Sequence, residues 1–123
     1  MGDRIIEARV QTCSPWGVMG RRVFVSILAA LVWMREEEKL ALDVYTALGA
    51  LWGVPVFDNI AASERTHTDA VRELLDAYGI ADPAATAPSG VFTDPALQQL
   101  YDELLAKGSL SLTDALTVGA TIE

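Results

Sequence analysis

Three side chains of this sequence, Glu38, Glu64 and His67, have the types and the spacing of metal ligands. Glu64 and His67 stand three residues apart, so on a helix they are neighbours on one face and can reach the same ion. Each interrupts an apolar stripe. Glu38 falls within Leu31, Met34, Ala41, Leu42, Tyr45, Leu48 and Trp52, and the Glu64/His67 pair within Phe57, Ile60, Ala61, Val71, Leu74, Leu75 and Tyr78. A carboxylate on such a face is costly unless it is paired, protonated or bound to a cation. Carboxylates with one imidazole suit iron, manganese or zinc and disfavour thiophilic metals. The single cysteine, Cys13, lies outside both stripes and is not a credible ligand.

A Glu-x-x-His pair on one helix with a lone Glu on its partner is the ligand pattern of di-iron and di-manganese carboxylate bundles. Two ions bridged by such carboxylates sit about 3.5–4 Å apart and act together on O₂, peroxide or a bridging water. Bland alternatives stand beside this reading. Glu64 and His67 can hydrogen-bond each other or an arginine, Glu38 can join a buried ion pair, and Glu37 is an intermediate rival to Glu38. Glu123 continues a further stripe, Leu112, Ala115, Leu116, Gly119 and Ile122. As the last residue it is equally readable as a frayed, solvated end. Glu36, Lys39 and Asp43 fall on another face, where water alone satisfies them.

The elements that must position these groups are helices. The first is expected from about residue 26 to 51, free of Pro and of Gly before Gly49, and the second from Pro55 to Tyr78 with Gly79 as its stop. Residues 81–90 hold prolines and a glycine without apolar period and read as a linker. A short third helix opens at Thr93-Asp94-Pro95 and closes at Lys107-Gly108; a fourth opens at Ser111 with Asp114 in its first turn. No strand-like alternation of useful length occurs, so the class is all-α. The expected organisation is a loose arm over residues 1–22 and a partial helical-bundle domain over 23–123.

The chain has 123 residues, 51% hydrophobic and 21% charged, which suits one globular domain. The net charge of -8 argues against a nucleic-acid partner, whose phosphates call for a basic patch. One cysteine allows no internal disulfide. Arg21-Arg22 ahead of the apolar run 26–34 resembles a twin-arginine export signal, but no small-x-small cleavage site follows and the run passes in helical register into Arg35-Glu36-Glu37-Glu38. A cytoplasmic protein is therefore expected, with export as the alternative. The run is also shorter than the roughly 20 apolar residues of a membrane span.

Several separate blocks occur together: Met34-Arg35-Glu36-Glu37-Glu38-Lys39-Leu40-Ala41, Asp43-Val44-Tyr45, Asn59-Ile60-Ala61-Ala62-Ser63-Glu64, His67, Asp69-Ala70-Val71, Gly90-Val91-Phe92-Thr93-Asp94-Pro95, Leu100-Tyr101-Asp102-Glu103-Leu104 and Val118-Gly119-Ala120. In this order they resemble a ferritin-like family of bacteria and archaea, catalogued as domain of unknown function 2202, over residues 31–123. Wider ferritin-like proteins share the Glu with a Tyr seven residues on and the Glu-x-x-His of the next helix. The resemblance implies an incomplete ferritin-like bundle: two long antiparallel helices, a short crossover helix and the start of a further core helix. It implies Glu38 and Glu64 as bridging or terminal carboxylates and His67 as a terminal imidazole of a centre of two iron ions, with manganese or zinc as substitutes and ferroxidase-like oxidative chemistry by analogy. The first thirty residues depart from the family's opening, and the family continues through a fourth helix bearing another histidine.

Two long stripes cover each other on one side only. Val32, Trp33, Val44 and the Ala29-Ala30 side are expected to face water in a monomer, so a homodimer is expected. It would combine two copies of Glu38, Glu64 and His67 into a complete two-metal set. The competing classes are a helical structural or interaction module, in which the polar groups fix helix register, and a fragment of the family domain.

Overall fold

The computed structural model describes residues 17–122, with side chains from residue 26 onward. The expectations for the first sixteen residues and for Glu123 lie outside the described residues. Four helices follow in order: α1 (Gly17–Trp52), α2 (Pro55–Ala77), α3 (Pro95–Gly108) and α4 (Leu112–Ile122). Among the described residues there is no strand, and the all-α bundle expected from the sequence is the fold. The chain divides into two compact units, residues 1–31 and 32–123. The second carries the bundle and the candidate site.

Helix α1 starts at Gly17, not near residue 26. No proline occurs between Pro15 and Pro55, and a lone glycine such as Gly20 costs only about 1 kcal/mol in a helix that is already propagating. The later boundaries follow local chemistry. Pro55 and Pro95 occupy first-turn positions, where a missing N–H costs nothing. Asp94 caps α3 by accepting from the N–H groups of Ala96 at 2.7 Å and Leu97 at 3.4 Å. Ser111 caps α4 by accepting from Asp114 N at 3.0 Å while its hydroxyl donates to the Asp114 carboxylate at 2.7 Å. α2 ends where Ile80 N–H reaches back to Leu75 O at 2.9 Å and Gly79 N–H to Asp76 O at 3.1 Å.

α1 and α2 run antiparallel. Gly49 lies against Phe57 and Asp58 near the hairpin, and Glu38 meets His67 several turns further on. The core joins Leu40, Ala41, Val44, Tyr45 and Leu48 of α1 with Phe57 and Ala61 of α2, Phe92 of the linker, Leu97 and Leu104 of α3, and Ala115 and Val118 of α4. Two polar anchors tie the short helices to α1. Trp52 Nε1 donates to Gly108 O at 2.8 Å, and the Tyr45 hydroxyl donates to Gly119 O at 3.0 Å. A Cβ at Gly108 would stand 2.7 Å from Leu48 Cδ2, so a larger residue there would make the buried Leu48 side chain shift.

The structure corrects several side-chain expectations: Met34 of the α1 stripe and Leu112 and Leu116 of the α4 stripe are exposed, and three further corrections bear on the site. Val44 is fully buried in the bundle and does not face water, because α1 is covered from more than one side. Leu74 and Tyr78 of α2 are exposed, at 44% and 52%, so the buried stripe of α2 is the narrower set Phe57, Ala61, Glu64, Thr68, Val71 and Leu75. Glu36, Lys39 and Asp43, assigned to water, are buried together with Arg35. The linker folds over their face of α1 and supplies partners. Lys39 Nζ donates to Asp43 at 2.6 Å, to Pro88 O at 2.8 Å and to Val91 O at 3.1 Å, and it lies 4.4 Å from the centre of the Phe92 ring. Asp43 also accepts from Gly90 N at 2.9 Å, Glu36 accepts from the backbone and hydroxyl of Thr93, and Arg35 pairs with Asp82 at 3.0 Å. Gly90 holds the turn with φ +79°, and a Cβ there would meet the Tyr101 ring at 2.9 Å.

Candidate metal centre

On another face of the same turns of α1, Glu38 meets Glu64 and His67 of α2. Each offers one ligand atom, and these atoms lie within 4.8 Å of one another. His67 Nδ1 stands 3.2 Å from Glu64 Oε2 and 3.7 Å from Glu38 Oε2. The i, i+3 spacing sets the first distance and the antiparallel register of the hairpin sets the second. Burial is graded across the cluster: the side chains of Glu64, Glu38 and His67 are 8%, 26% and 55% exposed.

The electrostatics are those of an under-neutralised carboxylate pair. Burial pushes the Glu38 carboxyl above its usual range, and a hydrogen bond and charge repulsion from Glu64 push it further, against the opposing pull of His67. Among the described residues the ion-pair partner of both glutamates is His67, with no lysine or arginine in that role. The clamp differs in this respect, since each of its acids has a basic or hydrogen-donating partner. Glu37, the rival to Glu38, is exposed and stands outside the three-ligand group. Glu123 lies outside the described residues.

The cluster opens into a cleft of about 490 Å³. Glu37, Glu38, Leu40 and Ala41 of α1 and Glu64 and His67 of α2 line it with Leu97, Leu100 and Leu104 of α3 and Thr121 and Ile122 of α4. The α3 and α4 lining was not found from the sequence, although the leucine spacing at 97, 100 and 104 carried a helical stripe that could have signalled it. A second concavity, about 390 Å³, lies along α2 between Val56, Asn59, Ile60, Ser63, Glu64 and His67. The ligand pair of α2 therefore borders two openings. Among the described residues no helix is long and apolar enough to cross a membrane.

Comparison with known proteins follows the same residues. The family model for an uncharacterized protein domain, DUF2202, matches residues 28–123. An uncharacterized protein of Methanocaldococcus jannaschii is 54% identical over 93 residues, which are 76% of this chain and 50% of that protein. The crystal structure of a hypothetical protein from Methanococcus jannaschii superposes with a TM-score of 0.75 at 52% identity, covering 77% of this chain and 54% of that one. The chain thus spans about half the length of these relatives. With its matched region running through both glutamates, the histidine and the linker clamp, the chain belongs to the DUF2202 family.

Proposed function

We propose that this protein binds a redox-active or Lewis-acidic metal through Glu38, Glu64 and His67, as one half of a di-iron or di-manganese carboxylate centre of the ferritin-like type. The observation that carries the reading is the convergence of two carboxylates and an imidazole within 4.8 Å at the wall of a cleft. The donor set fits the group. Two acids held together with His67 beside them, and with no lysine or arginine paired to either among the described residues, repel one another, and a divalent cation between them removes that repulsion. Glu64, the most buried of the three, is suited to a bridging position, and His67 to a terminal one. A two-iron centre supplies oxidation by O₂ or peroxide when bound, in the manner of a ferroxidase.

The chain's own residues have definable parts in this. Glu38 and Glu64 bind the cation as carboxylates, so the cation competes with protons at Glu38, whose carboxyl burial and the neighbouring Glu64 raise above its usual range. His67 keeps one ring nitrogen toward the carboxylates and leaves its exposed side toward solvent. Leu97, Leu100 and Leu104 give the cleft an apolar wall that lowers the local dielectric and strengthens each charge interaction there.

The test is elemental analysis of protein purified without a chelating column. Wild-type protein is expected to carry iron or manganese in stoichiometric amount. Glu64→Ala and His67→Ala should each lower bound metal by an order of magnitude or more while keeping the helical circular dichroism. Unchanged metal content in both variants would overturn the assignment.

A further inference from the structure

Two buried side-chain atoms of α1 and α2, Arg35 Nη1 and Thr68 Oγ1, have no hydrogen-bond partner among the described residues. Both residues are more than nine-tenths buried, Arg35 at 6% exposure and Thr68 at 7%. A buried donor left unpaired is expensive, so each calls for a reason. Arg35 engages Asp82 through Nε, at 3.0 Å, which leaves Nη1 unspent. Thr46, Thr66, Thr117 and Thr121 return their hydroxyls to the carbonyl four residues back, and Thr68 does not.

Their place in the hairpin supplies the reason. Thr68 follows Glu64 by four residues on the buried stripe of α2, and Arg35 precedes Glu38 by three on α1. With Gly49 against Phe57 and Asp58, and Glu38 against His67, a step back along α1 and a step forward along α2 lead the same way. The two unspent donors therefore stand on one side of the carboxylate pair, each about one turn from a glutamate of its own helix. We infer that Arg35 and Thr68 are positioning residues of the metal centre, whose free N–H and O–H orient the Glu38 and Glu64 carboxylates for the ion. The inference rests on the metal-binding reading above and adds two residues that touch no metal. A guanidinium N–H can only donate, and the acids of this hairpin face without a lysine or arginine partner are Glu38 and Glu64. Residues three and four apart have Cβ atoms about 5–6 Å from each other, a gap that a change of rotamer or one ordered water spans. A carboxylate that presents one oxygen to a cation keeps the other for such a donor, and the donor fixes its orientation.

Mn(II) titration of the full chain, followed by the loss of the free-ion paramagnetic resonance signal, tests this. Thr68→Val keeps the shape of the side chain and removes its donor, and it should weaken Mn(II) binding by about tenfold or more. Its metal-free melting temperature should hold or rise, because an unpaired buried hydroxyl has gone. Thr68→Ser restores the donor and should bring affinity back to within about threefold of wild type. Arg35→Met should weaken binding comparably. Asp82→Asn, which breaks the tie to the linker and keeps the guanidinium, should not. Thr68→Val binding Mn(II) as tightly as wild type overturns the proposal for Thr68, and equal losses in Arg35→Met and Asp82→Asn overturn it for Arg35. The two levels separate on the wild type. Mn(II) bound there and equally in every variant rejects the positioning role alone, whereas no Mn(II) bound to wild type rejects the metal reading itself.

Discussion

Two sides of helix α1 carry nearly the same residue types and are built in opposite ways. On one side Arg35, Glu36, Lys39 and Asp43 are buried beneath the linker, and acids and bases are matched: Lys39 alone has three hydrogen-bond acceptors. On the other, Glu38 faces Glu64 with a partly exposed imidazole for company and an open cleft in front. The contrast separates two uses of charge in one short stretch. Matched and covered charge fixes the position of a connection, whereas like charge left unmatched beside a cavity is poised for a cation.

The comparison breaks hardest at the clamp. Asp43→Ala leaves the Lys39 ammonium buried without its carboxylate, and loss of one member of such a pair costs about 3–5 kcal/mol. Urea unfolding of the metal-free protein should register that loss. Gly90→Ala attacks the same connection through the backbone, since it needs positive φ and meets the Tyr101 ring. Its expected cost is smaller, about 1–3 kcal/mol. Neither variant should lower metal content in the protein that remains folded. Should Asp43→Ala prove as stable as wild type, the clamp has no structural role.

Much of the fold was legible in the sequence, and the reasons are local. Pro55, Asp94-Pro95 and Ser111 announce helix starts by chemistry that acts within one turn. The triad was legible because polar residues interrupting an apolar stripe stand out at helical spacing. The clamp was not. Glu36, Lys39 and Asp43 look like a solvated face in sequence, since their burial depends on residues 82–93, some fifty positions away. A linker's course over a helix has no periodicity to betray it. The width of the α2 stripe was overread for a related reason: Leu74 and Tyr78 have core composition, but no element of this unit covers them. Val44 erred the other way, because α3, α4 and the linker wrap α1 more fully than a two-stripe hairpin suggests.

Smaller effects sharpen the contrast on the cleft side. The Glu38 carboxyl titrates above its ordinary value of 4.5 in the folded metal-free protein, first through burial and then through Glu64. Its stabilising contribution is therefore complete below the unfolded value and is lost as pH rises through the folded one. Glu38→Gln should accordingly raise the melting temperature of metal-free protein at neutral pH and flatten its decline above the carboxylate range. Scanning calorimetry from pH 4 to 8 reads both. In the wild type, metal affinity should weaken on acidification through that raised value, as protons compete for the ligand. The smallest change is expected at Glu37→Gln, which alters the cleft wall but no ligand. Metal content and melting temperature should stay within error of wild type, and a loss of metal there would make Glu37 a ligand.

The most direct measurement is an anomalous-scattering map from crystals grown with Fe(II) or Mn(II), collected on both sides of the metal's absorption edge. A peak bonded to carboxylate oxygens of Glu38 and Glu64 and to a ring nitrogen of His67, at about 2.0–2.3 Å, is the predicted result. A map with no peak among these three side chains, from protein whose metal content is stoichiometric, would place the ion elsewhere and contradict the account.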